Sequence, residues 1–594
     1  MKYIISTLFI LFLSSSNISL GQGAHINASD NNKYQSLSQE DVFVHYNTSL
    51  LFVGEYFFYK VYCVNTRINR PSKISKIAYV ELVGEEGSVV FKHKLELIDS
   101  EGFSDFFIPT SVPSGNYKLL AYTRWMKNLG ETRNLFQANI SIVNPYIGNQ
   151  YAISNTRINK GEGFEKHFVK GTGTKPKTKL NRAEGFSLTP NKKVFKKREA
   201  ITLTLRNHRR TLGYGNYSLS VKKLEPVPHS DLKSSFDFNT KRNSKIYPKG
   251  IVYAPELSGS LITGQVFDKE TNLPVKDINV AISVSGKNFF FRVATSNFNG
   301  NFRFWLDPDY ESDSAIIQVI GDIKEKYKIE LYNDDIINYS SLSFASFSIT
   351  PDMKDLIIER SVYNQIENAY YGIKPDTIKT TTPKKPFTYY EKITSYKLDD
   401  FTRFSTMKDV FKELVKHVWT ENDSSEKKVI KVRNYEYNEE TEFLPLVFID
   451  GVFVQEHGDL LEYNALKVDN ISVLRDRYKF GTQDYQGVIL IETIAEDFTN
   501  KISGDFLKNV NLFMPQQRKR YFRQAYEEKN NQLTKRTPDF RSQLFWEPSI
   551  NLTSNEMNFQ FFTSDNLGNY QISLEGFTQE GESVSIREII SVVE

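Results

Sequence analysis

The sequence predicts a mainly β protein, an array of antiparallel β-sandwiches together with one small α+β domain. Three observations predict this fold. Short stretches of alternating apolar and polar residues recur about every ten residues, broken by glycine, asparagine and serine. Aromatic residues are abundant, with 44 Phe, 33 Tyr and 4 Trp, as expected of a chain that buries several cores. The length of 594 residues corresponds to roughly four domains.

Residues 1–21 are expected to be a cleaved signal peptide. Lys2 precedes the apolar run 4–13, which is shorter than the roughly 20 residues of a membrane-spanning helix. The small residues Ser19 and Gly21 place the cleavage after Gly21, and an uncleaved anchor is the alternative. The mature chain is therefore expected in the periplasm or associated with the outer membrane. The single cysteine, Cys63, lies far from the cleavage site, so we expect neither a lipoprotein nor an internal disulfide.

Residues 41–143 are predicted to form the first sandwich. The alternation runs through GEYFFYKVYCVN, AYVELVGEEGSVVFKHKLEL and IPTSVPSGNYKLLAYTRWMKN. These segments resemble the strands of a macroglobulin-type domain, the module that builds α2-macroglobulins. Macroglobulins that trap proteases covalently carry a cysteine and glutamine thioester. Because Cys63 follows Tyr62 inside a predicted strand, we expect a buried thiol and no thioester trapping.

Residues 144–185 are polar, basic and rich in glycine, and are predicted to be a linker. The wider segment 151–250 contains 23 Lys and Arg against 7 Asp and Glu, a local net charge of +16. For an exported chain this charge favours anionic lipid head groups or an acidic protein surface as partners, and we expect no nucleic acid. A solvated, flexible lysine-rich linker is the alternative.

A second sandwich is predicted to be assembled from two distant segments. The strand pattern resumes over 186–257, but only about three strands occur before it stops, and about four more are predicted over 541–594. Both segments resemble parts of a macroglobulin-type domain. Because neither half can bury two faces alone, we predict that they pair.

Residues 258–350 are predicted to form a further small sandwich. Gly264, Asp268 and Pro274, with the turn Asn299-Gly300 before Phe302, resemble a carboxypeptidase regulatory-like domain. That module is a β-sandwich, so the resemblance implies no peptidase activity.

Residues 395–497 are predicted to form the α+β domain. Thr406 and Asp409 form a capping box for a helix over 406–418, whose apolar residues repeat at helical spacing. A buried strand over 446–449 then meets the turn Asp450-Gly451, a helix follows near 459–466, and strands are predicted around 471–474 and 488–491. Pro445, Ile449, Asp450, Gly451 and Val452, with 469–474 and 487–489, resemble the plug of TonB-dependent outer-membrane receptors.

We expect no receptor barrel after the plug-like domain. A barrel of 22 strands needs roughly 220 residues, and fewer than half of that number follow residue 497. Residues 498–540 are predicted to be a charged helical connector. We therefore expect the plug-like domain to serve a partner.

No enzymatic constellation is evident in the sequence. The eight histidines are scattered without a zinc-protease pattern, and no nucleophile elbow or phosphate loop occurs. Adjacent carboxylates such as Glu85-Glu86, Asp399-Asp400 and Glu439-Glu440 are expected at the surface, because neighbours in a strand point to opposite faces. We expect no cofactor and no metal.

The sequence thus predicts a non-enzymatic interaction scaffold of the bacterial envelope, docking on an outer-membrane protein in an export, assembly or uptake complex. The candidate contact residues are Asp450, Gly451, Arg475, Arg477 and Tyr478 in the plug-like domain, with a plain hairpin turn as the alternative for the Asp-Gly pair. A surface adhesin or extracellular ligand-binding protein, with the sandwiches as spacers, is the alternative function.

Overall fold

The computed structural model describes residues 37–594 with the exception of short internal gaps. These gaps are 131, 149, 151–152, 154–179, 182, 228, 239–252, 287–288, 308–309, 311, 333–336, 380–391, 436–441, 481–482, 497, 499–502 and 527–535. The predicted signal peptide and most of the predicted linker lie outside the described residues. In the part of the chain that is described, no helix is both long and apolar enough to cross a membrane. The fold is mainly β, which confirms the predicted class.

The first sandwich packs two sheets around an aromatic core. In one sheet β3 lies between β1 and β7, and the other has the order β2-β9-β8-β5-β6. Residues of β3 alternate, so that Tyr59 and Cys63 face the core while Lys60 faces the second sandwich. Burial raises the pKa of the Cys63 thiol well above its usual value. The strands are β1 (Glu40–Tyr46), β2 (Leu50–Phe52), β3 (Tyr56–Asn65), β4 (Arg70–Pro71), β5 (Ile77–Gly84), β6 (Val89–Glu96), β7 (Glu101–Phe107), β8 (Gly115–Tyr122) and β9 (Phe136–Val143).

The next five strands form part of the second sandwich. In β13 the residues Ile201, Leu203 and Leu205 are buried and the residues between them are not, which is the period of two that the sequence shows. The strands are β10 (Leu180–Asn181), β11 (Phe186–Pro190), β12 (Val194–Lys196), β13 (Ala200–Asn207) and β14 (Gly215–Lys223). Residues 253–256 leave this unit and contact the first sandwich, where Glu256 accepts a hydrogen bond from Tyr79.

The regulatory-like sandwich has one sheet in the order β18-β15-β20 and another that begins β17-β16-β19. Its strands are β15 (Ser260–Asp268), β16 (Asn279–Val284), β17 (Phe290–Thr295), β18 (Asn301–Leu306), β19 (Ser314–Val319) and β20 (Tyr327–Leu331). The predicted domain 258–350 is too long at its end, because Ile337 belongs to the core of the first sandwich and Phe347 donates its backbone N–H to Asn116 there.

A helix that the sequence did not predict, α1 (Lys354–Ala369), packs on the first sandwich.

The unit predicted to be plug-like follows, with a sheet in the order β22-β27-β28-β25-β26 and a separate hairpin of β23 and β24. Its elements are β22 (Thr394–Lys397), α2 (Met407–Glu413), β23 (Val418–Asn422), β24 (Lys428–Val432), β25 (Leu446–Ile449), β26 (Val452–Phe453), α3 (His457–Leu461), β27 (Val468–Phe480) and β28 (Gln483–Thr493); β21 (Thr377–Ile378) precedes them.

The helix predicted over 406–418 begins as expected and ends early. Thr406 caps α2 by accepting a hydrogen bond from the backbone of Asp409, but the helix stops at Glu413. His417 has a φ of 66°, and Val418 starts a strand that pairs with β24. The apolar residues predicted on one face of a longer helix are consistent with the observed helix and strand too, because Val415 after the helix and Val418 in β23 are both buried.

The prediction of a helical connector over 498–540 is wrong for residues 503–526, none of which is helical. Instead β29 (Leu507–Asn511) adds a fourth strand to the sheet of β19, and β30 (Lys519–Arg520) pairs with β21. The physical reason is that Leu507 and Leu512 are buried in neighbouring cores, and that β19 offers an edge for pairing.

The last four strands complete the second sandwich, the arrangement that the sequence predicts. The strand β14 lies between β31 and β33, and β13 pairs with β32. Apolar side chains from 186–221 and 544–592 share one core. The strands are β31 (Gln543–Leu552), β32 (Glu556–Phe562), β33 (Gly568–Thr578) and β34 (Ser583–Val593).

Candidate functional site

The predicted contact residues Asp450 and Gly451 lie in a turn that is buried within the chain. The turn joins β25 to β26, and its φ values of 49° and 81° are those of a type I′ hairpin. Asp450 is 6% exposed, and its carboxylate accepts hydrogen bonds of 2.7 Å from the backbone N–H and the hydroxyl of Thr493. A β-carbon on Gly451 would lie 2.3 Å from the β-carbon of Phe289. The turn is therefore a joint between the plug-like unit and the regulatory-like sandwich, and its residues are buried instead of exposed.

The other three predicted residues lie on the hairpin of β27 and β28. Arg475 is half-buried and donates from Nε to the carbonyl of Arg433 at 2.6 Å. Arg477 is exposed and lies 3.3 Å from Asp484 on the facing strand. Tyr478 is buried. The hairpin thus presents Arg477 to solvent, whereas Arg475 and Tyr478 also serve the internal packing.

A cleft of about 1370 Å³ lies where the first sandwich, the regulatory-like sandwich and the plug-like unit meet. This volume exceeds the roughly 300–1,000 Å³ of most small-molecule sites. Its lining residues are, from the first sandwich, Tyr56 and His93 with Ser104 to Phe107 of β7; from the regulatory-like sandwich, Ser285, Gly286, Ser312 and Asp313; after α1, Tyr371 with Pro375, Asp376 and Ile378; from the plug-like unit and the residues just after it, Asp450 and Glu496; and, beyond it, Met514 to Gln517 with Lys519.

One side of the cleft is aromatic. The ring of Tyr56 stacks on Tyr371, with centroids 5.6 Å apart, and lies 5.2 Å from the ring of Phe107. Phe107 is 38% exposed and Tyr371 is 41% exposed. Rings that remain open to solvent in a cleft offer apolar area and π faces to a bound group.

The lining of the cleft is acidic. It contains five carboxylates, from Asp105, Asp313, Asp376, Asp450 and Glu496, against the single cation Lys519. Lys519 lies 2.7 Å from a carboxylate oxygen of Asp105 and 3.4 Å from one of Asp376, and these two charges raise its pKa in spite of its burial. The cation therefore ties β30 to β7, and the remaining charge of the lining is negative.

His93 is a neutral histidine at the base of the cleft. It is 9% exposed, and burial, followed by the charge of Lys519, lowers its pKa to about 4. Its Nδ1 is hydrogen-bonded to the hydroxyl of Tyr59.

The aromatic side of the cleft depends on α1, which precedes Tyr371. Arg360 fixes this helix to the first sandwich with bonds of 2.7 and 2.8 Å to the two carboxylate oxygens of Glu55. The same guanidinium lies 3.4 Å from Glu225 of the second sandwich and 4.3 Å from the centroid of the Phe52 ring. One buried ion cluster thus joins α1 to both sandwiches beside Tyr56.

The sequence analysis missed the residues of this cleft other than Asp450. Tyr56, Phe107, Tyr371 and Lys519 come from distant segments, and each looks like an ordinary strand or surface residue by itself.

The described residues hold no group of three or more His, Cys, Asp or Glu side chains arranged to bind a metal ion. Of the adjacent carboxylate pairs named above, Glu86, Asp399 and Asp400 are exposed and Glu85 is half-buried, while Glu439-Glu440 lies outside the described residues. What the cleft offers is binding chemistry, namely π faces, carboxylates and strand backbone.

No family model matches the sequence, and no curated protein matches it. Among solved structures, the chain is similar to Salmonella α2-macroglobulin reacted with methylamine, with 8% identity and a TM-score of 0.23 over 94% of this chain and 40% of that one. It is also similar to Escherichia coli α2-macroglobulin activated by porcine elastase, with 8% identity and a TM-score of 0.23 over 93% and 44%. The Yersinia pseudotuberculosis adhesin InvE matches 52% of this chain and 60% of its own, with 10% identity and a TM-score of 0.13.

The chain spans less than half the length of these α2-macroglobulins. At such low TM-scores the likeness carries no conclusion about the site. The class that the fold itself defines is a mainly β, multidomain protein with a cleft between its units.

Proposed function

We propose that the chain is a non-enzymatic interaction scaffold of the bacterial envelope, which docks on an outer-membrane protein through the interdomain cleft. The observation that carries this proposal is the cleft itself, which is open, acidic and partly aromatic, and whose walls come from all the folded units except the second sandwich. An aromatic patch surrounded by charged groups is typical of a protein-binding surface.

The architecture supports a rigid scaffold. The plug-like unit is joined to the regulatory-like sandwich by a shared core that includes Phe289, Phe448 and Phe453. The first and second sandwiches are joined by buried polar contacts, among them Lys60 with Glu101 at 2.7 Å and with the carbonyl of Tyr217 at 3.2 Å. The first of these interfaces is apolar and restricts the relative motion of two units that line the cleft.

Two further surfaces belong to this proposal. The exposed Arg477 on the plug-like hairpin is a second contact point for the partner. The basic segment 151–250, part of which lies outside the described residues, would attract anionic lipid head groups at the membrane, and this assignment depends on its charge alone.

A site-specific crosslink tests the proposal. The photoreactive residue p-benzoylphenylalanine is placed at Phe107 in the cleft, or at Phe298, which is 85% exposed on the regulatory-like sandwich and serves as the matched control. We expect irradiation of intact cells to join the Phe107 variant to one outer-membrane protein, identified by mass spectrometry, and to leave the Phe298 variant without that adduct. If both positions give the same adducts, or neither gives one, the cleft is not the docking site.

Surface proteolysis of intact cells separates this function from the adhesin alternative. A scaffold on the periplasmic side stays intact when protease is added outside the cell, whereas an adhesin is cut. Release of the chain by external protease would therefore contradict a periplasmic scaffold and favour the adhesin.

A further inference from the structure

Helix α1 is attached to the first sandwich by a polar face. Its fully buried residues are Arg360, Ser361 and Asn364. Beside the ion pair of Arg360, Asn364 donates from Nδ2 to a carboxylate oxygen of Glu55 at 3.1 Å. Leu356 and Ile357, near the start of the helix, add partly buried apolar contacts. Charge and hydrogen bonds therefore hold the middle of the helix in place.

The opposite face of the helix is apolar and open to solvent. At about 100° per residue, the side away from the buried residues carries an outer stripe, which consists of Ile358, Val362, Ile366 and Ala369. Ile358 is 52% exposed and Val362 is 45% exposed. Ile366 is half-buried and Ala369 is exposed. A surface helix usually turns such a stripe toward the core, so packing within the described chain does not account for its outward position.

The chain that follows the outer stripe leads to the cleft. Directly after α1, Tyr370 is 40% exposed and Ile373 is 52% exposed. Tyr371 and Ile378 of the same stretch line the cleft itself. The apolar surface of α1 and the aromatic side of the cleft are therefore neighbours, and a protein seated in the cleft is in reach of both.

The charged residues beside the outer stripe favour a protein over a membrane as its partner. Asp352, Asp355 and Glu359 are exposed, and none of the three forms an ion pair with a described residue. Glu359 accepts a hydrogen bond of 2.8 Å from the hydroxyl of Tyr363, which leaves its charge unmatched. The exposed cation of the helix is Lys354, so this surface is net negative. Such a surface repels anionic lipid head groups and attracts lysine and arginine side chains of a protein.

We propose that the outer stripe binds in an apolar groove with a basic rim on the partner protein. This inference rests on the proposed docking function and names the chemistry of the partner's surface. Apolar anchors three and four residues apart on one helix face are the pattern that such a groove recognises. Because Arg360 and Asn364 already hold the helix on the first sandwich, binding avoids the entropic cost of ordering it. The basic rim pairs with Asp355 and Glu359.

A crosslink from the outer stripe tests the inference in intact cells. The photoreactive residue p-benzoylphenylalanine is placed at Val362 in one variant and at Phe107 in another. We expect irradiation to join both variants to the same outer-membrane protein. Mass spectrometry of the Val362 adduct should identify an apolar segment of that protein with lysine or arginine beside it. Phe298 on the regulatory-like sandwich is again the control position and should not give this adduct.

Substitutions on the stripe measure its contribution to docking. The double variant Ile358→Lys with Val362→Lys should lower the yield of the Phe107 adduct at least about fivefold, because it places two charges in an apolar groove. Both positions are exposed and lysine favours helices, so α1 should keep its hydrogen-exchange protection. Ile68→Lys, at a residue 58% exposed on the first sandwich, is the matched control and should leave the yield unchanged. Glu359→Gln tests the charge and should lower the yield about twofold.

Several outcomes would overturn the inference. An adduct from Val362 to a second copy of this chain, to lipid or to another part of the same chain would assign the stripe to a different occupant. An unchanged Phe107 adduct in the double lysine variant would show that the stripe does not contribute. If Phe107 captures the outer-membrane protein and Val362 does not, docking through the cleft stands and the helix contact fails. If Val362 alone captures it, the helix contact stands and docking through the cleft fails, and no adduct from either position contradicts both.

Discussion

Replacement of Arg360 by methionine should detach helix α1 from the first sandwich. The side chain is 6% exposed, and its guanidinium binds both oxygens of Glu55 at 2.7 and 2.8 Å and the carbonyl of Leu50 at 3.0 Å. Methionine fills a similar volume but leaves Glu55 buried without its partner. Removal of one member of a buried pair costs about 3–5 kcal/mol.

The pKa of Glu55 gives a second measure of the same interaction. Burial alone would raise this pKa, but the charge and hydrogen bonds of Arg360, together with the charge of Lys222, lower it from its usual value of 4.5 to about 2. This difference corresponds to about 3 kcal/mol. Because the folded pKa is depressed, the stabilisation is present above pH 4.5 and is lost as the pH falls toward 2.

Hydrogen exchange of α1 is the suitable assay, because one free energy of unfolding is poorly defined for a multidomain chain. We expect Arg360→Met to reduce the protection of amides 354–369 by about a hundredfold. Lys354→Met removes an exposed cation from the same helix and serves as the matched control. The double variant Glu55→Gln with Arg360→Met should regain part of the loss. Equal protection in Arg360→Met and Lys354→Met would refute the argument.

Three further predictions concern single buried positions. Gly451→Ala should destabilise the plug-like unit by more than about 1 kcal/mol, because the new methyl group meets Phe289 at a positive φ; unchanged urea unfolding of this unit would contradict it. Burial raises the pKa of Glu575 to about 7, so stability should fall as the pH rises from 4.5 to 7, and Glu575→Gln should abolish that fall in urea titrations across this range. The thiol of Cys63 should resist maleimide in the native chain and react after unfolding, and rapid native labelling would argue against the buried strand.

Local features of the fold could be predicted from the sequence because short-range chemistry decides them. The strand over 446–449 and the turn Asp450-Gly451 occur as predicted, since an Asp-Gly pair between apolar runs favours a type I′ hairpin. The assembly of the second sandwich from two segments could also be inferred, because half a sandwich leaves an apolar face uncovered.

Helix α1 could not be predicted because its buried face is polar. Arg360, Ser361 and Asn364 face the first sandwich, whereas Ile358 and Val362 are exposed, so the apolar residues do not mark the buried face. The opposite error occurred at 503–526, where a charged sequence suggested a helix, while sheet edges on neighbouring units impose an extended chain. In both cases tertiary contacts override the local pattern.

The cleft could not be predicted because it exists only in the assembled chain. Lys519 of β30 holds Asp105 of β7, and β30 pairs with β21, which follows Tyr371. Tyr56, Asp105 and Phe107 belong to the first sandwich by itself, but Lys519 and the stacked ring of Tyr371 come from segments hundreds of residues away. An isolated first sandwich would therefore keep one wall of the cleft and lose the others, so the cleft is a property of how the units of this protein are joined.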